Sequence, residues 1–385
     1  MNQIIVNLEA LRHNLSRINT WMGRQGASWT VVTKVLCGHA DTLRALHLLG
    51  VRSVGESRLE NLDDMPINLD QLETWFLRVP DLSAVGDVAR WADVSLNSEH
   101  EVITALNEAA RKLGKIHKVI IMIELGDLRE GILPGTLVDF YQRVFELDHI
   151  EVIGVGANLG CLAGVVPNVD QFMQLILYRE LLELKFGHKL PLISAGSSVV
   201  LPLLLEGQLP RAINHFRIGE AIFLGTDLVN GGTLEGLRDD VYLLRAEIAE
   251  IKEKGLVAQG ETGVNTPGEA EFATEAEPGQ RGYRALVSVG NLDTDVTGLS
   301  PIDERLQVAG ASSDIVVINV GDSDRNLKVG DHIEFKVNYP ALLRLMSSRY
   351  VEKVLTPSLA EFRSHLDEPQ RILEAALDVI AEQDS

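Results

Sequence analysis

Trp29-Thr30-Val31-Val32-Thr33-Lys34-Val35-Leu36-Cys37-Gly38-His39 opens with a β-rich apolar run, Trp29–Thr33, that ends at a lysine. Near-continuous apolar composition is expected of a strand covered on both faces. If Trp29–Lys34 is the first strand of a barrel, Lys34 stands at its C-terminal end, the end from which barrel active sites are built. An ammonium there is poorly solvated, its pKa falls, and its amine becomes a nucleophile toward carbonyls. The same segment equally fits a lysine that snorkels from a strand end to water.

The surrounding chain supplies the context. A helix is expected from Leu8, Leu11, Leu15 and Ile18, opened by Asn7 as N-cap. Short β-rich runs then recur at Thr30–Lys34, Arg52–Glu56, Trp75–Val79, Asp93–Asn97, Val119–Leu125, Val152–Asn158, Leu190–Ala195 and Ala212–Ile218. Amphipathic stretches such as Glu99–Leu113, Leu137–Leu147 and Val169–Lys185 lie between them. About eight β/α units over the first ~225 residues predict an α/β fold, a (β/α)8 TIM barrel. Polar residues cluster where the runs end: Lys34, Glu56, Arg78, Asn97, Arg129, Asn158, Ser197 and Arg217. Strand ends that reach water are often polar, but eight in succession favour a site assembled on one rim.

Near Gly225–Leu234 the β/α rhythm stops. Val241–Ile251, Tyr283–Val289, Leu306–Val308, Ile315–Val320 and His332–Val337 are β-patterned and separated by turn signals such as Glu277-Pro278-Gly279. The expected organisation is a barrel over 1–228, a C-terminal all-β domain over 229–355 and a short helical tail over 356–385. The first strands of the β-domain are expected to pack beside the N-terminal helix. In the tail, Leu359, Phe362 and Leu366, then Ile372, Leu373, Ala376, Leu377 and Ile380, have helical spacing around Pro369.

The 385 residues carry a net charge of -20, which argues against nucleic acid or an anionic membrane as partner. Two cysteines, Cys37 and Cys161, make no disulfide framework, and with no signal peptide at the N-terminus a cytoplasmic location is expected. No apolar run approaches the ~18 residues of a membrane span. Zinc spacings, a Walker loop and a Rossmann fingerprint are absent from the sequence, and no metal is expected.

Four motifs carry a family likeness: Thr33-Lys34-Val35-Leu36-Cys37-Gly38, Gly126-Asp127-Leu128-Arg129-Glu130-Gly131, Arg217-Ile218-Gly219-Glu220-Ala221 and Gly310-Ala311-Ser312-Ser313-Asp314. Over residues 1–355 the chain resembles the ornithine racemase family, relatives of the alanine racemases among fold-type III pyridoxal-phosphate enzymes. The resemblance implies pyridoxal 5'-phosphate as cofactor, a Schiff base on Lys34 and two-base proton transfer at Cα. It implies a basic amino acid such as ornithine as substrate, and a homodimer with shared active sites. Arg217 would face the pyridine nitrogen and keep it unprotonated, which favours a racemase over a decarboxylase. Ser197 and Ser198, with the backbone of Ile218 and Gly219, would hold the phosphate. Asn158 aligns with the position that packs on the ring face, and Arg129 with an arginine that reaches the cofactor phenol oxygen or the substrate carboxylate. Asp127 would orient Arg129 or cap its own loop.

The second acid/base is the weak point of the likeness. Alanine racemases use a tyrosine where this chain has Asn291, and asparagine cannot carry the proton. Ser313 and Asp314, in the stretch Ser312–Asp314, are the chosen candidates, though these residues could simply shape a turn. The competing functions are a non-catalytic pyridoxal-phosphate carrier, which would end after the barrel, and a decarboxylase or lyase on the same fold.

Overall fold

A computed structural model describes residues 2–67, 71–257 and 277–366. The chain starts with strand β1 (Gln3–Asn7) and the helix Leu8–Gln25. Asn7 caps that helix, its Oδ1 accepting from the Ala10 amide at 3.1 Å.

The next eight strands close on themselves: β2 (Ser28–Val32), β3 (Ser53–Glu56), β4 (Glu73–Phe76), β5 (Val94–Asn97), β6 (His117–Met122), β7 (Ile150–Gly156), β8 (Leu192–Ser197) and β9 (His215–Ile218). Each is parallel to its neighbour, and β9 returns to β2 with Thr30 opposite Arg217. This is the TIM barrel expected from the β/α rhythm. Its interior holds an apolar cluster, with Trp75, Val94, Leu96, Ile120 and Met122 buried together, beside buried polar side chains such as Thr30, Ser194 and His215. Packing between β8 and β9 is tight enough to demand glycine at Gly196. A Cβ there would lie 2.0 Å from the Phe216 ring.

Several strands stop short of the apolar runs that announce them. β2 ends at Val32, β4 at Phe76 and β6 at Met122. The apolar composition continues into the loops because those loops bury their first residues. Val35 and Leu36 are fully buried, in a short 3-10 turn.

The antiparallel region comprises β10 (Tyr242–Gly255), β11 (Arg281–Val287), β12 (Leu299–Pro301), β13 (Gln307–Ala311), β14 (Val316–Gly321), β15 (His332–Val337) and β16 (Glu352–Thr356). The order is β12-β15-β10-β11-β14-β13, with β1 antiparallel to β10 and parallel to β16. A register shift between Ile248 and Glu250 divides β10, whose first half pairs with β1 and β15 and whose second half pairs with β11. One helix, Tyr339–Ser347, interrupts the β-pattern; Asn338 Oδ1 caps it by accepting from the Ala341 amide at 3.0 Å.

The chain divides into two compact units. One takes in Met1–Leu11, Val35–Cys37 and Arg238–Ser364; the other takes in Arg12–Lys34 and Gly38–Leu237. The first tail helix is Leu359–His365. The second, expected over Ile372–Ile380, lies outside the described residues. Among the described residues no helix is long and apolar enough to cross a membrane.

Candidate active site

Lys34 opens the 3-10 turn that follows β2. Its side chain is exposed, which corrects the expectation of a poorly solvated ammonium: the strand ends two residues earlier and the lysine stands clear of it. Glu220 lies within electrostatic reach. Burial pushes the Glu220 carboxyl up, and the charge of Lys34 pulls it back.

Arg217 is the opposite case. It is buried in β9, and burial brings its guanidinium down to about 10, so it stays charged at neutral pH. Among the described residues no carboxylate pairs with it directly. Nη1 donates to the Ser194 carbonyl at 2.6 Å and to the Ser194 hydroxyl at 2.5 Å. Nη2 donates to the Ala157 carbonyl at 3.0 Å and to Asn158 Oδ1 at 2.8 Å. Four of its five N–H donors are therefore committed to protein acceptors, which leaves Nε–H for a ligand.

Asn158 links this cation to the loop after β6. Its amide donates to Glu130, and Glu130 forms an ion pair with Arg129. Glu130 thus stands between two arginines, a role that composition alone did not single out. Its one sequence signal is adjacency to Arg129. The pairing raises the Arg129 guanidinium above its usual range. Arg129 lies beyond the strand end, in a loop closed by a bridge between Ile123 and Ile132. Among the described residues no hydrogen bond or ion pair joins Asp127 to Arg129, on which it acts only through its charge. It is buried and accepts from the amides of Cys161, Leu162 and Ala163, so it ties the loop after β7 to the loop after β6.

Ser197 ends β8 and pairs in register with Arg217. The Ser198 hydroxyl is buried and accepts from the Ala221 amide at 3.2 Å, so it also fixes the segment after β9. Ile218 ends β9, and Gly219 follows it against β2. A Cβ at Gly219 would come within 3.0 Å of the Val32 carbonyl oxygen. Lys34, Asn158, Ser197, Ser198, Arg217, Ile218 and Gly219 all belong to, or directly follow, the C-terminal ends of β2, β7, β8 and β9.

Ser313 and Asp314 belong to the other compact unit, in an exposed turn between β13 and β14. Ser312 Oγ donates to Asp314 Oδ1 at 3.2 Å, and the Leu292 amide donates to the Ser313 carbonyl at 2.8 Å. Among the described residues no group of three or more His, Cys, Asp or Glu could hold a metal ion.

Residues 6–227 match the family model described as alanine racemase, N-terminal domain. The chain is 37% identical over 356 residues to an ornithine racemase of Acetoanaerobium sticklandii, covering 92% of this chain and 99% of that protein. It is 32% identical over 359 residues to a lysine racemase of Thermotoga maritima, covering 93% and 99%. Among solved structures, alanine racemase from Streptomyces coelicolor superimposes with a TM-score of 0.71 at 18% identity, over 92% of this chain and 98% of that one. Alanine racemase from Bartonella henselae, described with covalently bound pyridoxal phosphate, gives 0.69 at 15% identity over 92% and 99%.

Proposed function

The chain belongs to the alanine racemase family and is an amino-acid racemase; from that premise we propose that it uses pyridoxal 5'-phosphate and acts on a basic amino acid. The observation that carries the cofactor reading is Arg217, a buried cation with no carboxylate against it among the described residues and one N–H left to give. A permanent donor of that kind suits a ring nitrogen that carries no proton. Bound here, the cofactor would supply an electron sink that lowers the cost of removing a proton from Cα.

Each residue has a proposed task. Lys34 would tether the cofactor and would hold or accept the Cα proton on one face of the substrate. Arg217 keeps its Nε–H toward the ring nitrogen. Asn158, which connects Arg217 to Glu130, would pack on the ring face. Arg129 orients the phenol oxygen or the substrate carboxylate, and Glu130 fixes its guanidinium. Ser197, Ser198 and the backbone of Ile218 and Gly219 hold the phosphate. The proton group for the second face is proposed as Ser313 or Asp314, supplied by a second copy of the chain in a homodimer. The substrate class follows the two relatives named for ornithine and lysine, whose side chains both end in an amine.

Purified protein should show a visible cofactor absorbance that Lys34→Ala abolishes. In deuterated water it should racemise single enantiomers of basic amino acids with deuterium uptake at Cα. A colourless wild type that no added cofactor converts would sink the cofactor reading. Release of CO₂ or ammonia in place of racemisation would point to another reaction at the same site.

A further inference from the structure

A chain of hydrogen bonds crosses the barrel from Arg217 to Glu73, and donor chemistry fixes its direction. A guanidinium only donates, so Ser194 Oγ accepts from Arg217 Nη1. Ser194 then has one hydrogen to give, and His215 Nδ1 lies 2.8 Å away. At the other end a carboxylate only accepts. Glu73 Oε2 takes a hydrogen from Ser53 Oγ at 3.2 Å and another from Trp75 Nε1 at 2.8 Å. With its hydrogen committed there, Ser53 accepts from Thr30 Oγ1 at 2.8 Å. Thr30 in turn accepts from His215 Nε2 at 3.1 Å. Both ends require the same state of His215: neutral, with the proton on Nε2 and a bare lone pair on Nδ1.

The surroundings agree. Burial, with the charge of Arg217 adding to it, pushes the His215 imidazole down to about 3. The Trp75 ring stacks on it, centroids 4.3 Å apart and 11° from parallel. Because Trp75 also donates to Glu73, one side chain clamps the histidine and the acceptor that terminates the chain.

We propose that His215 is a positioning residue for Arg217, acting through Ser194. Its Nδ1 draws the Ser194 hydrogen away from the guanidinium, so that the serine oxygen can only accept from Arg217. Without that acceptor the hydroxyl rotates and can turn its hydrogen toward the cation. Arg217 then loses a partner that sets where its remaining N–H stands. The consequence for a cofactor rests on the assignment of Arg217 to the ring nitrogen, whereas the tautomer of His215 does not.

The two parts are tested separately. In cofactor-free protein with labelled ring nitrogens, ¹⁵N NMR should show His215 with Nε2 protonated and Nδ1 bare across about pH 5 to 9. A proton on Nδ1, or an imidazolium, overturns the proposal. In cofactor-loaded protein, His215→Leu should shift the visible spectrum and lower kcat about tenfold with KM nearly unchanged. His215→Asn should recover most of the loss, because its Oδ1 can accept from Ser194. A folded His215→Leu with the wild-type spectrum and kcat also overturns it. If that variant does not fold, the nearly isosteric Thr30→Val removes the acceptor of Nε2–H. The Nδ1-protonated form should then rise and the spectrum should shift; an unchanged tautomer and spectrum would count against the proposal. A wild type that takes up no cofactor defeats the assignment of Arg217 and leaves the NMR result to decide the hydrogen-bond chain.

Discussion

His117 and His215 are each the first residue of a barrel strand, β6 and β9, and each is buried. Burial pushes both imidazoles down to about 3, with Lys115 contributing at His117 and Arg217 at His215. Their bonding differs. His215 has a partner on both nitrogens, whereas His117 bonds Ser95 Oγ through Nε2 at 2.8 Å and no described residue meets its Nδ1. Burial alone therefore makes a histidine neutral, but only a complete set of partners makes one orient anything else. The sign of the pH effect is common to both. Their folded pKa lies below the ordinary 6.5, so the unfolded chain binds more protons between 6.5 and 3. Stability is lost as the pH falls through that window.

The largest expected effect comes from cutting the bonded network at its cation. Arg217→Met strands the Ala157 carbonyl and Asn158 Oδ1 without their donor, and takes one of two donors from the Ser194 carbonyl, which keeps the Ala157 amide. Each orphaned acceptor costs about 1–3 kcal/mol, offset in part by relief from burying a charge. A net loss of about 2–4 kcal/mol should appear in the urea midpoint of cofactor-free protein, together with loss of racemisation. A variant as stable as wild type would show that these bonds are weak.

Replacing each histidine by leucine tests the comparison directly. His215→Leu takes one hydrogen-bond partner each from Ser194 and Thr30, whereas His117→Leu takes one from Ser95 alone and removes a nitrogen that no described residue meets. The first should cost at least about 1 kcal/mol more than the second. His117→Leu should also flatten the fall in stability between pH 6.5 and 3, since one proton-binding group of the unfolded chain is gone. Equal costs would mean that the extra partners of His215 contribute little.

These residues mark where sequence reasoning stopped. Apolar runs announced the barrel, and the polar residues at their ends announced Lys34, Asn158, Ser197 and Arg217 as one rim. His215 lies inside such a run, where period and composition describe only core. Its partners Ser194 and Thr30 come from other strands, and only barrel closure brings them together. β1 and β16 were missed for a related reason. Gln3 pairs with Glu352, and no local pattern records a partner so distant in the chain. Lys34 follows β2 in a wetter setting than its apolar run implies, because the strand stops at Val32, two residues before it.

Glu56 extends the comparison to a buried acid, with the smallest expected effect and the opposite pH sign. It ends β3, and burial pushes its carboxyl above the ordinary 4.5 although Asn61, Thr33 and the Ser57 amide all donate to it. The folded chain therefore holds this proton more tightly than the unfolded chain. Its contribution to stability is fully present below 4.5 and is lost as the pH rises through the folded value. Glu56→Gln mimics the protonated form. Its amide can donate to Thr33 Oγ1, while its oxygen still accepts from Asn61 and Ser57. The variant should gain on wild type as the pH rises above 4.5 and then hold a constant advantage, read from urea unfolding of both proteins across the range. A difference independent of pH would show that the donors around Glu56 fully offset its burial.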